Sequence, residues 1–448
     1  MPLANDAIAE SAAEARRASQ SLSKLSREAR DRSLKSAAVA MLLRKDEILS
    51  ANKKDLESGL TLVKEGRISR PMLDRLKLDA IKLAEISRMV ESVASLEDPV
   101  GKVLLSIEMD EGLRLYKVTV PFGVVAAIFE SRPDVLPQIA SLCIKSGNSV
   151  ILKGGSEAKE SNRAIFRVME ESFIEAGLPK GCITLVEGRS AVEALLKLDG
   201  QVDLIVPRGG YDFVRYIQCN TRIPVLGHSS GLCHIYVDGS AEPDKAVEIC
   251  HDARVQYPAA CNSMKILLVD SSVSESLLPK IAVRLVESGV VIKGCEKTLE
   301  ILGRNGIPAK HASEADWSTE YLELVLPTKV VSGVDEAIDH INRYGSKHTD
   351  SIISEDTANV RRFLTMVDSS TVMHNASTRF SDGYRYGLGA EVGISTNKVH
   401  ARGPVGLEGL VTTKYILLGS GQVVSDYVGK CAKPFTHRKI VGSWEKWL

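Results

Sequence analysis

The sequence predicts an α/β fold built from two doubly wound parallel-sheet domains and a small β element. The first observation is a series of short, continuously apolar segments that begins at Val124 and alternates with helical stretches such as 161–176. Strands that are apolar on both faces are typical of a parallel sheet covered by helices on both sides. The second observation is a new series of the same kind that begins near His234. Two sheets in tandem are therefore expected.

The predicted strands divide between the two sheets. The first series comprises residues 124–129, 148–152, 183–186 and 204–206, and the second comprises residues 234–237, 266–269, 325–331, 351–353 and 371–373. Because parallel sheets bind ligands at the carboxyl ends of their strands, the loops after these segments are the first places to look for a site.

The first hundred residues are predicted to be helical, and the residues that follow to form a hairpin. Apolar side chains recur at helical spacing from Leu34 to Leu49. Apolar and polar residues then alternate on either side of the turn at Asp110-Glu111-Gly112. A protruding hairpin exposes a strand edge that a second subunit would cover, so we expect it to take part in oligomerisation.

Composition argues against several classes of protein. The 448 residues carry no formal net charge, which argues against a nucleic-acid binder, and 44% of them are hydrophobic, enough for two or three cores. Eight cysteines without paired spacing indicate a reducing compartment, and no apolar run approaches the length of a membrane span. Acidic residues near the start argue against a signal peptide. We therefore expect a cytoplasmic protein.

Cys261 stands in an unusual frame. The segment Tyr257–Asn262 leads directly into a predicted buried strand, and two alanines before the cysteine leave access to its sulfur. Asn262 and the backbone N–H groups offer donors for an oxyanion. A thiol that attacks a carbonyl needs both access and such donors. A single cysteine beside a strand is more often an inert core residue, so the rest of the chain has to decide.

Polar and small residues follow three strands of the first series. Residues 130–133, 153–157 and 207–210 each come directly after a predicted buried strand. In the second of these segments, Lys153 followed by Gly154 offers a cation and unobstructed backbone to a ribose or a phosphate. A solvated loop would explain any one segment alone. Their repetition at three strand ends favours a shared nucleotide cleft.

A further set of polar loops follows the last predicted strand. Asn375, Ser377 and Arg379 come directly after it, and glycine-rich loops farther along hold Ser395 and Arg402. Such loops with arginine and serine suit anionic groups. Turn chemistry alone would explain the glycines but not the crowding of polar side chains.

Two adjacent pairs, Cys233-His234 and Cys250-His251, have the residue types of metal ligands. Neighbouring residues on a strand point to opposite faces, and no second pair stands at zinc-like spacing, so we expect no metal site. Three other histidines are candidate bases for which core or capping roles are the simpler interpretation: His340, His348 and His374.

Taken in order, these motifs resemble those of the glutamate-5-semialdehyde dehydrogenases (gamma-glutamyl phosphate reductases), the proline-biosynthesis branch of the aldehyde dehydrogenase superfamily. The matching segments cover nearly the whole chain: Phe129–Pro133, Lys145–Asn148, Leu152–Gly155, Val206–Gly209, Ile223–His228, Tyr257–Asn262, Asn375–Phe380 and Gly389–Gly409. The chain is also similar to the reductase half of the bifunctional pyrroline-5-carboxylate synthases. The resemblance implies an aldehyde dehydrogenase-like fold with two Rossmann-like domains.

The resemblance also implies a reaction. NADPH reduces L-glutamyl 5-phosphate to L-glutamate 5-semialdehyde, phosphate is released, and Cys261 is the nucleophile that forms an intermediate thioester. The implied partners are this small-molecule substrate, a second copy of the chain in a homodimer or larger homo-oligomer, and glutamate kinase as a candidate contact. The implied domains are an NADP-binding domain (1–102 and 121–230), an oligomerisation hairpin and tail (103–120 and 413–448) and a catalytic domain (231–412).

Site roles follow from the same resemblance. The implied catalytic residues are Cys261, Asn262 and Arg132, the last near the place of an oxyanion-binding Asn that is missing here. The implied cofactor contacts are Lys153, Gly154, Ser156, Pro207, Arg208, Gly209 and Glu320. The implied substrate contacts are Ser131, Arg132, Asn375, Ser377, Arg379, Ser395 and Arg402. Ser156 replaces a carboxylate that NAD-preferring relatives place against the ribose, which favours NADP.

Two departures from related sequences bear on the chemistry. The general-base Glu of hydrolytic aldehyde dehydrogenases has no counterpart in Val225–Ser230, which favours reduction of a thioester over its hydrolysis. Lys265 stands where these reductases usually have Glu, and it either changes the cofactor geometry or faces solvent. Two alternatives stay open at this point: another acylating or oxidative aldehyde dehydrogenase of the same fold, and an idle scaffold that binds a nucleotide or a kinase.

Overall fold

The computed structural model describes residues 2–130, 132–188, 190–228 and 230–447. The chain begins with helices, as the sequence predicts: α1 (Pro2–Leu22), α2 (Arg27–Leu43), α3 (Lys45–Lys64), α4 (Arg70–Leu76) and α5 (Ala80–Ser95). The side chains of Ser26 and Asp79 accept hydrogen bonds from the first turns of α2 and α5 and fix where these helices begin. Leu42 is 43% exposed, so the apolar face that starts at Leu34 does not include it.

A hairpin follows the helices, also as predicted. Strands β1 (Val103–Asp110) and β2 (Leu113–Pro121) pair antiparallel across the turn at Glu111-Gly112. Gly112 has a φ of 70°, a left-handed conformation that glycine adopts without strain.

The first parallel sheet contains β3 (Val124–Phe129), β4 (Ser149–Lys153), β5 (Ile183–Leu185) and β6 (Leu204–Arg208) in the order β5-β4-β3-β6. Its helices are α6 (Val135–Lys145), α7 (Lys159–Glu175), α8 (Ser190–Leu195) and α9 (Tyr211–Cys219). Alternate residues of β3 enter different cores: Val125 packs with residues of α6 and α7, and Val124 with residues of α1 and α8. The sheet is therefore covered on both faces, which explains its continuously apolar strands.

The second parallel sheet has seven strands in the order β10-β9-β11-β8-β7-β12-β13. The strands are β7 (Cys233–Val237), β8 (Met264–Asp270), β9 (Val291–Gly294), β10 (Ala309–His311), β11 (Val325–Val331), β12 (Thr349–Ile353) and β13 (Thr371–His374). The helices are α10 (Pro243–Val255), α11 (Ser274–Glu287), α12 (Glu296–Arg304), α13 (Val334–Tyr344) and α14 (Thr357–Met366). Here too the two faces enter separate cores, with Leu267 on one side and Leu268 on the other.

The C-terminal part of the chain packs against both the hairpin and the first parallel sheet. Strands β14 (Gly393–Ser395) and β15 (Gly403–Val405) form a small ribbon, and β16 (Val411–Leu418) and β17 (Arg438–Lys439) extend the hairpin into a sheet of order β16-β2-β1-β17. Buried residues between Ala390 and Leu410 belong to the core of the first sheet. The sequence places this stretch in the second domain, so its packing differs from the prediction. In the described part of the chain, no helix has the length and apolarity needed to cross a membrane.

Candidate active site

Three reactive side chains meet at the amino edge of the second sheet. Cys261 lies in the loop before β8, His348 directly precedes β12, and His228 lies in the segment that leads toward β7. Since these three strands are neighbours in the sheet, their entry loops lie side by side. The sulfur of Cys261 and a ring nitrogen of each histidine all lie within 4.8 Å of one another.

The loop that carries Cys261 is held on several sides. Cys233 donates its thiol hydrogen to the carbonyl of Cys261 at 3.1 Å, and Lys265 donates to the carbonyl of Pro258. A Cβ on Gly231 would lie 2.6 Å from the Cα of Cys261, so only glycine allows this close approach. These contacts fix the backbone from which the sulfur projects.

Cys261 has the electrostatics of a thiolate. Burial alone would raise its pKa, but the charges of His348 and His228, and their hydrogen bonds to the sulfur, outweigh burial and hold the pKa well below the ordinary range. Two other cysteines show the opposite behaviour, because burial raises the pKa of both Cys143 and Cys250 with no opposing imidazole. Cys261 is therefore suited to nucleophilic attack.

His228 is the other half of an ion pair. Burial would lower its pKa, but the charge of the Cys261 thiolate, its hydrogen bond and the carbonyl of Ile394 together raise it. Nδ1 of His228 donates to that carbonyl at 2.9 Å, which leaves Nε2 as the atom free to face the sulfur. The ring of His348 stands edge-on to that of His228, with centroids 4.8 Å apart.

The sequence predicted the nucleophile but not its partners. His228 lies in the very segment where hydrolytic relatives carry their general-base Glu, and that position was the available signal. His348 was taken as a core or capping residue, and it is indeed fully buried, with Nδ1 at 2.9 Å from Oγ1 of Thr349. Its place beside the sulfur could be found only from the strand order.

Two arginines lie within electrostatic reach of the thiolate. Arg208, at the end of β6, lies against Gly393 and 3.8 Å from Glu391; burial lowers its pKa, and the charges of Glu391 and Cys261 oppose that effect. Arg379 donates to Gln256 at 2.8 Å; burial and Arg385 lower its pKa, and Cys261 again opposes them. The sequence assigned Arg208 to the cofactor, and its charge also interacts with that of Cys261.

Other predicted catalytic and substrate residues have different surroundings. Arg132 donates to Asp134 at 3.0 Å, and its charge also interacts with Tyr257 and Glu391 near the thiolate. Asn262 donates its side-chain amide to the carbonyl of Ser381 at 2.8 Å, so the amide hydrogens are used to hold a loop. The backbone N–H groups then remain as donors for an oxyanion.

The polar loops after β13 divide between two places. Ser377 accepts from the backbone of Arg379 at 3.3 Å and so shapes the turn that presents this arginine. Asn375 instead donates to Ser354 and Glu355 at 3.2 Å. The structure thus turns the Asn375 side chain toward the end of β12.

Arg402 and Ser395 also have partners of their own. Arg402 forms an ion pair with Asp368 at 3.0 Å, a carboxylate that Lys398 approaches to 2.8 Å. Ser395 is fully buried and accepts from the backbone of Asn397 at 3.3 Å. The predicted substrate residue Ser131 lies outside the described residues.

The carboxyl edge of the first sheet carries the predicted cofactor residues. Lys153 ends β4 and Ser156 is exposed just beyond it, while Pro207 directly precedes Arg208, the last residue of β6. A Cβ on Gly154 would lie 2.2 Å from the amide nitrogen of Asn162. Backbone without side chains at a strand end, with a cation and a hydroxyl beside it, fits the phosphate and ribose groups of a dinucleotide.

The edge also carries carboxylates. A Cβ on Gly209 would lie 2.5 Å from the carboxylate of Glu130, and one on Gly155 would lie 2.0 Å from that of Glu157. Burial raises the pKa of Glu130, while Gly210 and Lys153 oppose that effect. Carboxylates here suit ribose hydroxyls, so the edge fits the cofactor class without fixing its 2′ substituent.

Lys265 is fully buried. Of the two interpretations that the sequence left open, this excludes the one in which Lys265 faces solvent. Burial and the neighbouring charge of Arg254 lower its pKa to about 8, and the charge of Glu320 opposes them. Glu320, the predicted ribose-binding carboxylate, thus lies within electrostatic reach of the loop that holds the nucleophile.

Neither adjacent cysteine–histidine pair forms a cluster. The thiol of Cys233 points to the Cys261 loop, whereas His234 bonds Asp350 at 2.9 Å. Cys250 is in the core of the second sheet, and His251 bonds Ser288 at 2.8 Å. These surroundings agree with the argument that neighbouring residues point in different directions.

Comparisons with known proteins agree with this geometry. A model of the aldehyde dehydrogenase family matches residues 2–299. The chain is 50% identical to the gamma-glutamyl phosphate reductase of Methanosarcina mazei, across 98% of both chains. It is 51% identical to that of Natronomonas pharaonis, across 96% of this chain and 97% of the other.

Solved structures extend the comparison. The crystal structure of the gamma-glutamyl phosphate reductase of Thermotoga maritima has 39% sequence identity and a TM-score of 0.89, and the match covers 93% of this chain and 99% of that one. An acetylating aldehyde dehydrogenase from Geobacillus thermoglucosidasius, 19% identical with a TM-score of 0.67, has the same fold.

Proposed function

Since this chain belongs to the gamma-glutamyl phosphate reductases of the aldehyde dehydrogenase family, we propose that it reduces L-glutamyl 5-phosphate to L-glutamate 5-semialdehyde in proline biosynthesis, with NADPH as reductant and release of phosphate. The observation that supports this most directly is the Cys261 thiolate, paired with His228 and faced by Arg208 and Arg379. It combines a nucleophile with a site for an anionic leaving group.

The first step is acylation of the sulfur. Cys261 forms a C–S bond to the acyl carbon, and the bond from that carbon to the phosphate oxygen breaks with its electron pair going to the phosphate. The His228 imidazolium gives its proton to the departing phosphate, so the ion pair is discharged as the thioester forms. The guanidinium groups of Arg208 and Arg379 stabilise the negative charge on the leaving group.

The second step is reduction of the thioester. NADPH, when bound at the carboxyl edge of the first sheet, supplies a hydride. The backbone N–H of Cys261 and the neighbouring guanidinium groups stabilise the negative charge that develops on the acyl oxygen when the hydride adds to the acyl carbon. Collapse of this oxyanion returns the C–S electron pair to sulfur, releases the aldehyde and restores the thiolate, and solvent returns a proton to His228.

Hydrolysis of the thioester is disfavoured by the residues present. The segment that supplies a general-base carboxylate in hydrolytic relatives supplies His228 here. In the thioester His228 is a neutral imidazole, because its proton has left with the phosphate, so the exclusion of water from the site and not the charge of His228 must limit hydrolysis. The two arginines hold the phosphate in the place of an attacking water.

We extend the proposal to assembly and location. The sheet β16-β2-β1-β17 exposes apolar side chains such as Tyr415 and Leu417 on β16. A second copy of the chain covering this sheet would remove them from water, in line with a homodimer or larger homo-oligomer. Residence in the cytoplasm and contact with glutamate kinase, which would supply the unstable acyl phosphate, belong to the same proposal.

The reverse reaction tests the proposal. Purified protein given L-glutamate 5-semialdehyde, in equilibrium with pyrroline-5-carboxylate, should reduce more than one NADP per active site only when phosphate or arsenate is present. Cys261→Ser should abolish that activity. Equal turnover without either anion would instead favour an oxidative or otherwise acylating aldehyde dehydrogenase.

A further inference from the structure

The cluster around Cys261 also has the donor set of a metal site, and we propose that it binds one Zn²⁺ ion reversibly through the sulfur of Cys261 and one nitrogen each of His228 and His348. The bound ion would coordinate the electron pair on the Cys261 sulfur with which this residue attacks the substrate. It would therefore inhibit the enzyme in competition with the acyl phosphate. That competition rests on the proposed function, whereas the binding itself does not.

The spacing of the three donor atoms is close to that of a zinc site. They lie within 4.8 Å of one another. Zinc bonds of about 2.3 Å to sulfur and about 2.1 Å to nitrogen place tetrahedral ligands roughly 3.5 Å apart. A contraction of about 1 Å, within reach of a cysteine rotation and small ring movements, closes the site.

Both histidines are already oriented as metal ligands are. Metal-bound histidines use their second ring nitrogen to bond a carbonyl or another polar group, which fixes the ring. His228 does this through Nδ1 and the carbonyl of Ile394 at 2.9 Å. His348 does it through Nδ1 and Oγ1 of Thr349, also at 2.9 Å. Each ring therefore keeps Nε2 for a further partner.

His348 supplies a second, independent observation. Its side chain is fully buried, and apart from the Cys261 sulfur beside it Nε2 has no hydrogen-bond partner among the described residues. Buried polar atoms are rarely left unsatisfied, and those that are often await an ion or a ligand. A metal at the centre of the cluster would satisfy this nitrogen and use the thiolate beside it.

The surroundings determine which ion binds and how tightly. A thiolate with two imidazoles favours a borderline-soft ion such as Zn²⁺ over Mg²⁺ or Ca²⁺. Arg208 and Arg379 oppose any cation, so the site should exchange its ion and not hold it as a structural zinc does. Three protein ligands leave a fourth position open, and the same arginines favour an anion such as phosphate there.

The sequence did not predict this site because its ligands come from three separate segments. The adjacent cysteine–histidine pairs noted in the sequence supply none of the three ligands. The sulfur of Cys233 bonds the backbone of Cys261, and His234 bonds Asp350. The strand order of the second sheet is what brings the three donors together.

Cobalt substitution tests the site without any turnover. The purified full-length protein should bind one Co²⁺ per chain, with a near-ultraviolet thiolate-to-cobalt charge-transfer band and the visible bands of a tetrahedral ion, and Zn²⁺ should displace it. Cys261→Ser should remove the charge-transfer band. His228→Asn and His348→Asn, which keep a donor in place of Nδ1, should each weaken binding at least about 10-fold. His311→Ala, exposed on the edge strand β10, is the matched control and should bind as the wild type does.

Two results would overturn the proposal. One is a wild-type protein that shows no thiolate-to-cobalt charge-transfer band at any cobalt concentration, even with a large excess of Co²⁺ over protein. The other is an unchanged affinity in both asparagine variants, with circular dichroism confirming that they are folded. Neither result depends on catalysis, so failure here is distinguishable from failure of the proposed reaction. A chain that binds cobalt in this way but reduces no acyl phosphate would refute the reaction alone.

Discussion

Cys261 is reactive because two imidazoles outweigh its burial. The sequence predicted the nucleophile from its access and from the strand that follows it. It could not predict the partners, because His228 and His348 come from segments far apart in the chain and meet only through the order of β8, β7 and β12. A sequence shows that a cysteine and two histidines are present, but which of them come into contact depends on the order of the strands in the folded sheet.

The ion pair makes a prediction about reactivity. Between about pH 6 and 8, alkylation of Cys261 by iodoacetamide should depend much less on pH than alkylation of an ordinary thiol, since the pKa of Cys261 is held well below the ordinary range. In His228→Asn the opposing imidazolium is lost, the pKa of Cys261 rises, and the alkylation rate should climb with pH across the same window. Stopped alkylation followed by peptide mass analysis measures both rates. A flat profile in the variant would contradict the role given to His228.

Lys265 makes a prediction about stability. Its pKa is lowered to about 8 by burial and by Arg254, so the folded state binds a proton less readily than the unfolded state. The free-energy cost of burying the charged Lys265 side chain is present in full below pH 8. It vanishes above about pH 10.4, where the lysine is neutral in both the folded and the unfolded protein. Lys265→Met should therefore gain up to about 3 kcal/mol at neutral pH from this source, less about 1 kcal/mol for the lost bond to Pro258.

Denaturant unfolding at several pH values checks this. The gain from Lys265→Met should shrink as the pH rises from 8 to 10, while the exposed control Lys310→Met should change little at any pH. A gain that is the same at every pH, or a loss throughout, would mean that charge burial is not what Lys265 contributes.

The arginines make a prediction about substrate binding. The sequence left open whether Arg379 or Arg402 holds an anion. The structure pairs Arg402 with Asp368, while the charge of Arg379 interacts with that of Cys261. Arg379→Ala should lower kcat/KM for the semialdehyde by an amount equivalent to about 2–5 kcal/mol and change KM for NADP little. Arg402→Ala is the control and should have the smaller effect on the semialdehyde. The reverse ranking would refute this assignment.

At the level of strands and loops, the long apolar segments were predicted well and several of the short ones were missed. Strands β3 and β11 have the predicted bounds. Strands β9 and β10 were not predicted because each has only a few residues and contains a lysine, which interrupts the apolar pattern. Strands β14 and β15 escaped because their glycines and proline are typical of turns.

The loop after β4 makes a prediction about cofactor choice. Ser156 stands exposed where a carboxylate would bind a ribose hydroxyl and repel a 2′-phosphate. Ser156→Glu should shift the ratio of kcat/KM values for NADPH and NADH toward NADH by at least about tenfold, or about 1.4 kcal/mol. Steady-state kinetics with both cofactors measures the ratio, with Ser276→Glu on α11 as a control. An unchanged ratio would refute this role of Ser156.

For the whole molecule, the candidate site lies between the two parallel sheets, and each sheet contributes the opposite ends of its strands. The first sheet presents the carboxyl ends of its strands, with Arg208, and the second presents amino-end loops, with Cys261 and His348. The carboxyl-end rule that guided the sequence analysis therefore applies to the cofactor side alone. The return of Ala390–Leu410 to the first core was equally invisible, because only tertiary packing distinguishes that stretch from its neighbours.

Transient acylation of Cys261 is the claim on which the proposed reaction rests, and intact-protein mass spectrometry tests it most directly. Wild-type protein mixed with L-glutamate 5-semialdehyde and NADP in the absence of phosphate, then quenched in acid, should carry one glutamyl group at Cys261. Phosphate added before the quench should discharge it, and Cys261→Ala should never acquire it. The same adduct on the alanine variant, or none on the wild type while the phosphate-dependent reaction proceeds, would contradict the account.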